Sequence, residues 1–362
     1  KRPIRVLVVD DSQVFRRFLT SALVVDPKIE VIGEASCAES AKNILRTKTP
    51  DVITLDLEMP GEDGLDFLRN TIVGMKIPTI VISGKTQRGT RMSIEALEAG
   101  ALDVFPKPRG LAPGQAAHEA LAEVGARLRA LARARVDYHR PQVEQPITAW
   151  TEMPAKDWVI AIGASTGGVQ ALGTVLHQMP ANCPPIVIVQ HMPEAFTEAF
   201  ARRLNQTCTI EIREARQNDR LRPGLALIAP GGERHMVLQR ADRHQLEVAL
   251  VPGDPVSFSR PAIDELFRSV ATTAAPRVSA AVLTGMGSDG ARGLLALRQA
   301  GAQTFAQDQA SSVIYGMPAQ AWEIGAAMEQ VSLDQMTTRL LASVGTSSAN
   351  TPLTGATASP KV

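Results

Sequence analysis

Residues 5–12 read RVLVVDDS, a run of aliphatic residues that stops at two aspartates and a serine. The run has the length and composition of a buried strand, and either Asp11 or Ser12 can cap a helix that begins near Val14. Strand-like runs and helical patterns continue to alternate as far as Lys107. This alternation predicts an α/β fold with a parallel sheet and helices on both of its faces.

A second α/β series begins near Trp158 and runs past residue 306, with a hairpin-like insertion predicted at residues 226–251. Between the two series, residues 136–155 carry three prolines without a sustained period, which is typical of an extended linker. The length of 362 residues also favours two domains. We expect a first domain at residues 1–122, a helix end and linker at 123–155, a second domain at 156–345, and a disordered tail at 346–362.

Composition and charge exclude several classes of protein. The formal net charge is +1, and no run of Lys and Arg is interleaved with aromatic residues, so nucleic acid is not an expected partner. Cys37, Cys183 and Cys208 are far apart and form no metal-binding spacing, which indicates reduced thiols. No apolar run approaches the roughly 20 residues that cross a bilayer, so we expect no membrane insertion and a cytoplasmic location.

Five polar residues follow the predicted strands of the first series. Asp10 and Asp11 follow the first strand, Asp56 ends the third, Ser83 ends the fourth and Lys107 ends the fifth. The carboxyl ends of parallel strands form the ligand crevice of open α/β sheets. Clustered carboxylates need a divalent cation, and Mg²⁺ suits a set of oxygen ligands. The pattern therefore predicts that Asp56 accepts a phosphoryl group while Lys107 and the metal neutralise its charge. Any single acidic residue in this set could instead cap a helix.

These residues resemble the receiver domain of two-component response regulators. The matching stretches are VVDDS at residues 8–12, DLEMPGEDGL at residues 56–65, Ser83, and the pair Lys107 and Pro108. The resemblance implies a flavodoxin-like domain with a five-stranded parallel sheet, phosphorylated by a histidine kinase. It also implies site residues: Asp56 as phospho-acceptor, Asp10, Asp11, Asp56 and the backbone carbonyl of Glu58 around Mg²⁺, and Ser83, Phe105 and Lys107 as switch residues.

The second series has its own set of polar residues at strand ends. Ser165 lies in the turn GASTGG between a strand and a helix, His191 follows the next strand, and Asp289 lies in GMGSDG after a later strand. A nucleophile, a base that titrates near neutral pH and an orienting carboxylate form a hydrolase triad. Each residue also has a plainer explanation, because Ser165 could cap a helix or bind phosphate, His191 could precede a helix, and Asp289 could form a turn.

The second half resembles the catalytic domain of the chemotaxis protein-glutamate methylesterases. The matching stretches are IGASTGG at 162–168, QHMPEAFTEAFA at 190–201, PAIDELFRSVA at 261–271, LTGMGSDGARGL at 283–294 and AQDQASSVIYGMP at 306–318. The resemblance implies a doubly wound, mostly parallel α/β hydrolase-like domain with a small antiparallel hairpin. It assigns the triad to Ser165, His191 and Asp289, oxyanion stabilisation to the backbone N–H of Met286, and a place beside the site to Thr166.

The two resemblances together imply a phosphorylation-regulated enzyme. It would hydrolyse glutamyl methyl esters of chemoreceptors without a cofactor in the esterase site, and would deamidate receptor glutamines. The unphosphorylated receiver would pack over the catalytic crevice and exclude the substrate. Two alternatives are a receiver joined to a nucleotide-binding domain and a DNA-binding response regulator. The first lacks a phosphate-loop lysine, and the second lacks a helix-turn-helix pattern with flanking basic residues.

Overall fold

The computed structural model describes residues 2–84, 86–107, 115–134, 158–243 and 245–345. The first domain is a five-stranded parallel sheet in the order β2-β1-β3-β4-β5. Its strands are β1 (Ile4–Val9), β2 (Ile29–Ala35), β3 (Val52–Leu55), β4 (Thr79–Ser83) and β5 (Asp103–Pro106). Its helices are α1 (Gln13–Val24), α2 (Ala38–Leu45), α3 (Gly64–Phe67), a π-helical segment (Leu68–Ile72), α4 (Val73–Met75), α5 (Gln87–Ala99) and α6 (Gln115–Leu131).

The start of this domain follows from residues 5–12. Val6 to Val9 are buried on both faces of the sheet, as expected for a continuous aliphatic run in a parallel sheet. The Ser12 hydroxyl accepts a hydrogen bond from the Phe15 N–H at 3.3 Å and so caps α1. The chain therefore turns directly from β1 into α1, which leaves Asp10 and Asp11 at the carboxyl edge of the sheet.

The second domain is a seven-stranded sheet in the order β14-β13-β12-β6-β7-β9-β8, and all its pairings are parallel. Its strands are β6 (Val159–Ala164), β7 (Ile186–Gln190), β8 (Glu211–Glu214), β9 (Leu225–Ile228), β12 (Val278–Val282), β13 (Gln303–Gln307) and β14 (Glu329–Val331), with a separate antiparallel hairpin of β10 (Arg234–Arg240) and β11 (Leu246–Pro252). Its helices are α7 (Gly168–His177), α8 (Glu194–Thr207), α9 (Ile263–Thr273), α10 (Ala291–Gln299), α11 (Met317–Glu323) and α12 (Leu333–Ala342).

The strand order places the crevice of the second domain at its centre. From β6 the chain passes to β7 on one side, and later to β12 on the other side, so the order reverses at β6. Ligand sites of open α/β sheets lie at such reversal points, outside the carboxyl ends of the strands. The ends of β6, β7 and β12 therefore frame one crevice.

Both the α/β fold class and the small antiparallel hairpin are confirmed.

Some sequence-based boundaries need correction. The hairpin was expected from residue 226, but residues 225–228 form β9 of the parallel sheet and the hairpin starts at Arg234. The run LALI of β9 is buried throughout, as a central parallel strand requires, whereas β10 is exposed at both ends. The sequence pattern also missed β8 and β14, because these short edge strands carry glutamates. Residues 135–157 of the predicted linker, and the predicted tail at 346–362, lie outside the described residues.

The two domains pack against each other through α5, which contacts α7 and α8. Gln170 donates a hydrogen bond to the carbonyl of Leu97 at 2.8 Å, and Arg203 forms an ion pair with Glu98 at 3.0 Å. The Gly167 N–H donates to the carbonyl of Leu102 at 3.0 Å. Among the described residues, none of the helices is long and apolar enough to span a bilayer.

Candidate functional site

The first domain holds an acidic pocket at the ends of β1 and β3. Asp10 and Asp56 are each only 2% exposed, while Asp11 is open to solvent. Carboxylate oxygens of all three lie within 4.8 Å of one another. Burial, the largest cause, raises the pKa of both Asp10 and Asp56 above the ordinary value, although Lys107 opposes the shift. An oxygen-only set with one open side fits a Mg²⁺ ion.

Lys107 balances the charge of this pocket. Its ammonium lies 2.7 Å from Asp10 Oδ2 and 2.7 Å from Asp56 Oδ2. Burial acts to lower the pKa of Lys107, but the two carboxylates outweigh it and the pKa lies above its ordinary value. The Glu58 N–H donates to Asp56 Oδ1 at 3.2 Å, so the chain after Asp56 turns back towards the pocket.

The predicted switch residues lie beside the pocket. Ser83 is fully buried, and its hydroxyl donates a long hydrogen bond of 3.4 Å to the carbonyl of Gly84. Phe105 is also buried, and the guanidinium of Arg127 lies 5.7 Å from the centre of its ring. Arg127 also pairs with Asp103 at 3.1 Å, which links the switch aromatic to the start of β5.

In the second domain, Ser165 lies on a tight turn between β6 and α7. The Ser165 N–H donates to the carbonyl of Thr284 at 3.0 Å, and its own carbonyl accepts from the Gly168 N–H at 2.7 Å. Gly167 has φ +78°, a conformation that glycine adopts without strain. A Cβ at Gly167 would lie 2.8 Å from Cβ of Val313. The turn thus depends on glycine both for its conformation and for its close packing.

His191 and Asp289 form a hydrogen-bonded pair across the crevice. The distance from His191 Nε2 to Asp289 Oδ2 is 2.8 Å, and Asp289 is only 2% exposed. Asp289 also accepts three backbone hydrogen bonds, from Ile263 at 2.8 Å, Asp264 at 3.0 Å and Gly290 at 2.9 Å. Burial acts to raise the pKa of Asp289, but the hydrogen bond from His191 and the other donors outweigh it and lower the pKa. The carboxylate is therefore held charged in an enclosed place.

Hydrogen bonds to the backbone link the segment of Ser165 to that of His191. The His191 N–H donates to the carbonyl of Ala164 at 3.0 Å, and the Gln190 amide donates to the carbonyls of both Ser165 (2.9 Å) and His191 (3.1 Å). In the part of the chain that the structure describes, no hydrogen bond joins the Ser165 hydroxyl to the imidazole. Instead, His191 Nδ1 lies 3.4 Å from the Ser259 hydroxyl. The structure thus forms the His191–Asp289 link of the predicted triad and leaves the Ser165 link open.

Met286 and Thr166 both lie beside Ser165. A Cβ at Gly285 would lie 2.7 Å from Cβ of Ser165, so the chain at Met286 runs next to the nucleophile candidate. The Met286 side chain is 38% exposed. The Thr166 hydroxyl donates to Asp103 Oδ2 of the receiver at 3.0 Å, and Thr166 is buried.

Sequence reasoning missed three residues of this site, Gln190, Ser259 and Asp103. Gln190 directly precedes His191, and this adjacency was the one local signal that could have indicated a role. Ser259 and Asp103 approach the site from distant parts of the chain, 68 residues from His191 and 63 from Thr166. No pattern within either local stretch points to the other.

Comparisons with known proteins agree with both halves of this structure. Residues 6–117 match the family described as response regulator receiver domain, and residues 160–340 match the family described as CheB methylesterase. A relative from Cereibacter sphaeroides, named protein-glutamate methylesterase/protein-glutamine glutaminase of group 2 operon, is 49% identical over 93% of this chain and 91% of its own length. A relative from Caulobacter vibrioides, named protein-glutamate methylesterase/protein-glutamine glutaminase 1, is 45% identical over 92% of this chain and 96% of its own length.

A solved structure supports the fold of the second domain. The crystal structure of the Thermotoga maritima CheB methylesterase catalytic domain is 33% identical, with a TM-score of 0.50, and the match covers 52% of this chain and 99% of that one. The receiver match covers most of the remaining described residues. The chain therefore belongs to the CheB methylesterase family, with a response regulator receiver domain joined ahead of its catalytic domain.

Proposed function

We propose that this protein is a phosphorylation-regulated methylesterase that hydrolyses glutamyl methyl esters on chemoreceptors and deamidates receptor glutamines. One observation carries the proposal: the buried, charged Asp289 is hydrogen-bonded to His191, next to the turn that bears Ser165, at the carboxyl edge of the sheet. The names of the relatives, which cover more than nine-tenths of this chain, support the substrate class.

The reaction follows from the contacts of the imidazole. Nε2 of His191 is engaged by Asp289, so Nδ1 accepts the proton when Ser165 Oγ attacks the ester carbonyl carbon. As substrate binds, the Ser165 hydroxyl replaces the Ser259 hydroxyl as the group that contacts Nδ1. His191 then passes the proton to the departing methoxide oxygen as the ester C–O bond breaks, so methanol leaves and an acyl-enzyme remains. Water attacks the acyl-enzyme with His191 again as base, which releases the glutamate carboxylate and frees Ser165. A glutamine side chain follows the same steps, with ammonia as the leaving group.

The backbone around Ser165 supplies the donors for the oxyanion. We assign this role to the N–H of Met286, because Gly285 packs directly against Ser165 and no side chain separates them. The turn into α7 adds the positive end of a ten-residue helix on the same side. This arrangement requires no cofactor in the esterase site.

The receiver controls this reaction through Asp56, which accepts a phosphoryl group from a histidine kinase. The residues that would hold Mg²⁺ are Asp11, Asp56 and the backbone carbonyl of Glu58, with Asp10 beside them. When bound there, Mg²⁺ would supply positive charge that offsets the charge on the phosphoryl oxygens. Lys107 lies within ion-pair distance of Asp56 and provides a second positive charge. The free thiols of Cys37, Cys183 and Cys208 support a cytoplasmic location, together with the proposed kinase partner.

The contact between the domains supports inhibition by the unphosphorylated receiver. Asp103 and Leu102 accept hydrogen bonds from Thr166 and Gly167, which adjoin the nucleophile candidate. Arg127 contacts both Asp103 and Phe105, so movement of the switch aromatic reaches this contact. Phosphorylation of Asp56 shifts Ser83 and Phe105, loosens the contact and opens the crevice.

Methanol release from methylated receptor membranes tests the proposal. The wild-type chain should release methanol, and a small-molecule phosphodonor with Mg²⁺ should increase the rate. Ser165→Ala should reduce the stimulated rate by about 10⁴-fold or more. A Ser165→Ala variant that keeps the wild-type rate would remove Ser165 from the mechanism.

A further inference from the structure

A strained turn beside the catalytic histidine presents a fully exposed phenylalanine. Val256 and Ser259 exchange backbone hydrogen bonds of 3.0 and 2.9 Å across the two residues between them. Those residues, Ser257 and Phe258, both have positive φ, +51° and +63°. Two-residue turns of this geometry favour Asn and Gly, because other side chains are strained there. The Phe258 side chain is completely exposed and gains no burial that could offset the strain.

The turn is fixed close to the reacting groups. Ser259, the next residue, places its hydroxyl 3.4 Å from His191 Nδ1. Arg260 donates to the carbonyls of Gly232 at 2.9 Å and Gly253 at 2.8 Å, which ties the end of the turn to two neighbouring loops. Phe258 is therefore held at the rim of the crevice, one residue from a group that contacts the imidazole. Backbone strain kept at such a position points to function.

A second exposed apolar side chain lies at the same crevice. Met286 is 38% exposed and follows Gly285, which packs against Ser165. Phe258 and Met286 thus flank the groups proposed to react, one beside His191 and one beside Ser165. Within the described residues, the receiver's hydrogen bonds and ion pairs to the second domain reach Thr166, Gly167, Gln170 and Arg203, and none reaches residues 256–260.

The position of the site in the sheet indicates which secondary structure the bound substrate segment has. The reacting groups lie at the ends of β6, β7 and β12, in the interior of the sheet, whereas its edges are β8 and β14. Within the described residues, an extended substrate segment therefore meets no free edge of this seven-stranded sheet at the reacting groups. A helical segment presents side chains instead, with residues three and four apart on one face. Such a segment can deliver an ester side chain to Ser165 and an apolar side chain to Phe258 together.

From these observations, we propose that the Phe258 turn is a docking element for the substrate, which binds an apolar side chain about one helical turn from the ester-bearing residue of a chemoreceptor helix. The inference rests on the proposed function and adds to it a specificity-determining residue. It also gives a reason for the hydrogen bonds that hold the turn, since an anchor that is already ordered loses little entropy when it binds.

Two substrates separate docking from catalysis. The full chain, activated with a small-molecule phosphodonor and Mg²⁺, is assayed on methylated receptor membranes and on p-nitrophenyl acetate, which has no helical segment to dock on the turn. Phe258→Ala should lower kcat/KM for the receptor by about 10-fold, as expected for loss of an aromatic anchor. The loss on the small ester should be several-fold smaller. Phe258→Leu, which keeps an apolar side chain, should recover most of the receptor activity.

Matched controls make the outcome decisive. Trp322→Ala removes another exposed aromatic, on α11, and should leave the ratio of the two activities at the wild-type value. Receptor activity that Phe258→Ala leaves intact would overturn the docking role, and so would an equal loss on both substrates, because that would place the effect on His191. A wild-type chain that releases no methanol from receptor would overturn the proposed function, and the docking role with it.

Discussion

At the scale of single residues, the chemistry depends on which partner each ring nitrogen of His191 contacts. Nε2 binds a carboxylate that three backbone N–H groups also hold in place, whereas the contact of Nδ1 within the described part of the chain is the long one with Ser259. The first contact fixes the ring and the second is easily replaced. This asymmetry is what a general base requires, because one nitrogen must stay oriented while the other accepts a proton.

Asp289→Asn tests the first contact. Asparagine keeps the shape but removes the charge, and it can present an N–H where His191 needs an acceptor. We expect kcat for methanol release to fall by about 10³–10⁴-fold with little change in KM. The control is Glu265→Gln, an equivalent change on the outer face of α9, which should stay within 2-fold of wild type. A mild effect of Asp289→Asn would show that the carboxylate does not orient the base.

The buried acids of the receiver make a prediction about stability. The pKa of Asp10 lies above its ordinary value of 3.8, chiefly because of burial. The folded state therefore binds the Asp10 proton more tightly than the unfolded chain does. As pH rises from 3.8 through the higher folded-state pKa, Asp10 ionises and stability falls, and above that pKa the full loss is present. Asp10→Asn should then raise the melting temperature at pH 7 in metal-free buffer by about 2–4 °C.

Added Mg²⁺ provides the second half of this test. Mg²⁺ should raise the melting temperature of the wild type, because it compensates the carboxylates, and should raise that of Asp10→Asn by less. Scanning calorimetry with and without MgCl₂ gives both values. A lower metal-free melting temperature for Asp10→Asn would mean that the ion pair with Lys107 outweighs the cost of burial.

At the scale of elements, the turn from β6 into α7 is the most constrained segment of the site. The Gly168 N–H donates a hydrogen bond to the Ser165 carbonyl within the turn. Gly167 has a positive φ and no space for a side chain. The turn therefore presents the Ser165 side chain from a rigid backbone. Such a turn follows from the sequence GASTGG, but its packing against Val313 does not, since that residue comes from a loop 146 positions later, after β13.

Gly167→Ala tests this constraint. The added methyl group meets Val313 at 2.8 Å and forces a left-handed alanine, so we expect a loss of about 1–3 kcal/mol in the free energy of unfolding. Activity should fall with it, because Ser165 shifts. Gly74→Ala is the matched control, since a Cβ there meets nothing within 4 Å and φ is not positive. Urea denaturation that ranks both variants equal to wild type would contradict this account.

At the scale of the whole molecule, the receiver touches the catalytic domain where the nucleophile turn begins. The buried carboxylate of Asp103 accepts from Thr166 and pairs with Arg127, whereas the pair of Glu98 and Arg203 lies on the exposed rim. Buried charge-assisted bonds contribute more than exposed ion pairs, which are worth little. The contact should therefore depend on Asp103 more than on Glu98.

This ranking predicts how basal activity responds to substitution. Asp103→Asn should raise methanol release by the unphosphorylated chain by about 5-fold, because it weakens the bond to Thr166 and the pair with Arg127. Glu98→Gln should raise it by less than 2-fold. Rates are compared with and without phosphodonor, and the stimulated rates of all three proteins should converge. A decrease in the unphosphorylated rate of Asp103→Asn would contradict inhibition by this contact.

The sequence by itself determined the two parallel sheets and the candidate residues at their strand ends, because aliphatic runs and the residues that end them are local patterns. Asp10, Asp56, Ser165, His191 and Asp289 were all predicted in this way. The short edge strands were missed, since their glutamates hide the pattern. Only the tertiary structure decided which ring nitrogen of His191 contacts Asp289 and which contacts Ser259. It also decided that Asp103 accepts a hydrogen bond from Thr166, and that the Phe258 side chain is exposed at the rim of the crevice. Those contacts join residues dozens of positions apart, and their formation depends on how helices and loops pack, which no local pattern encodes.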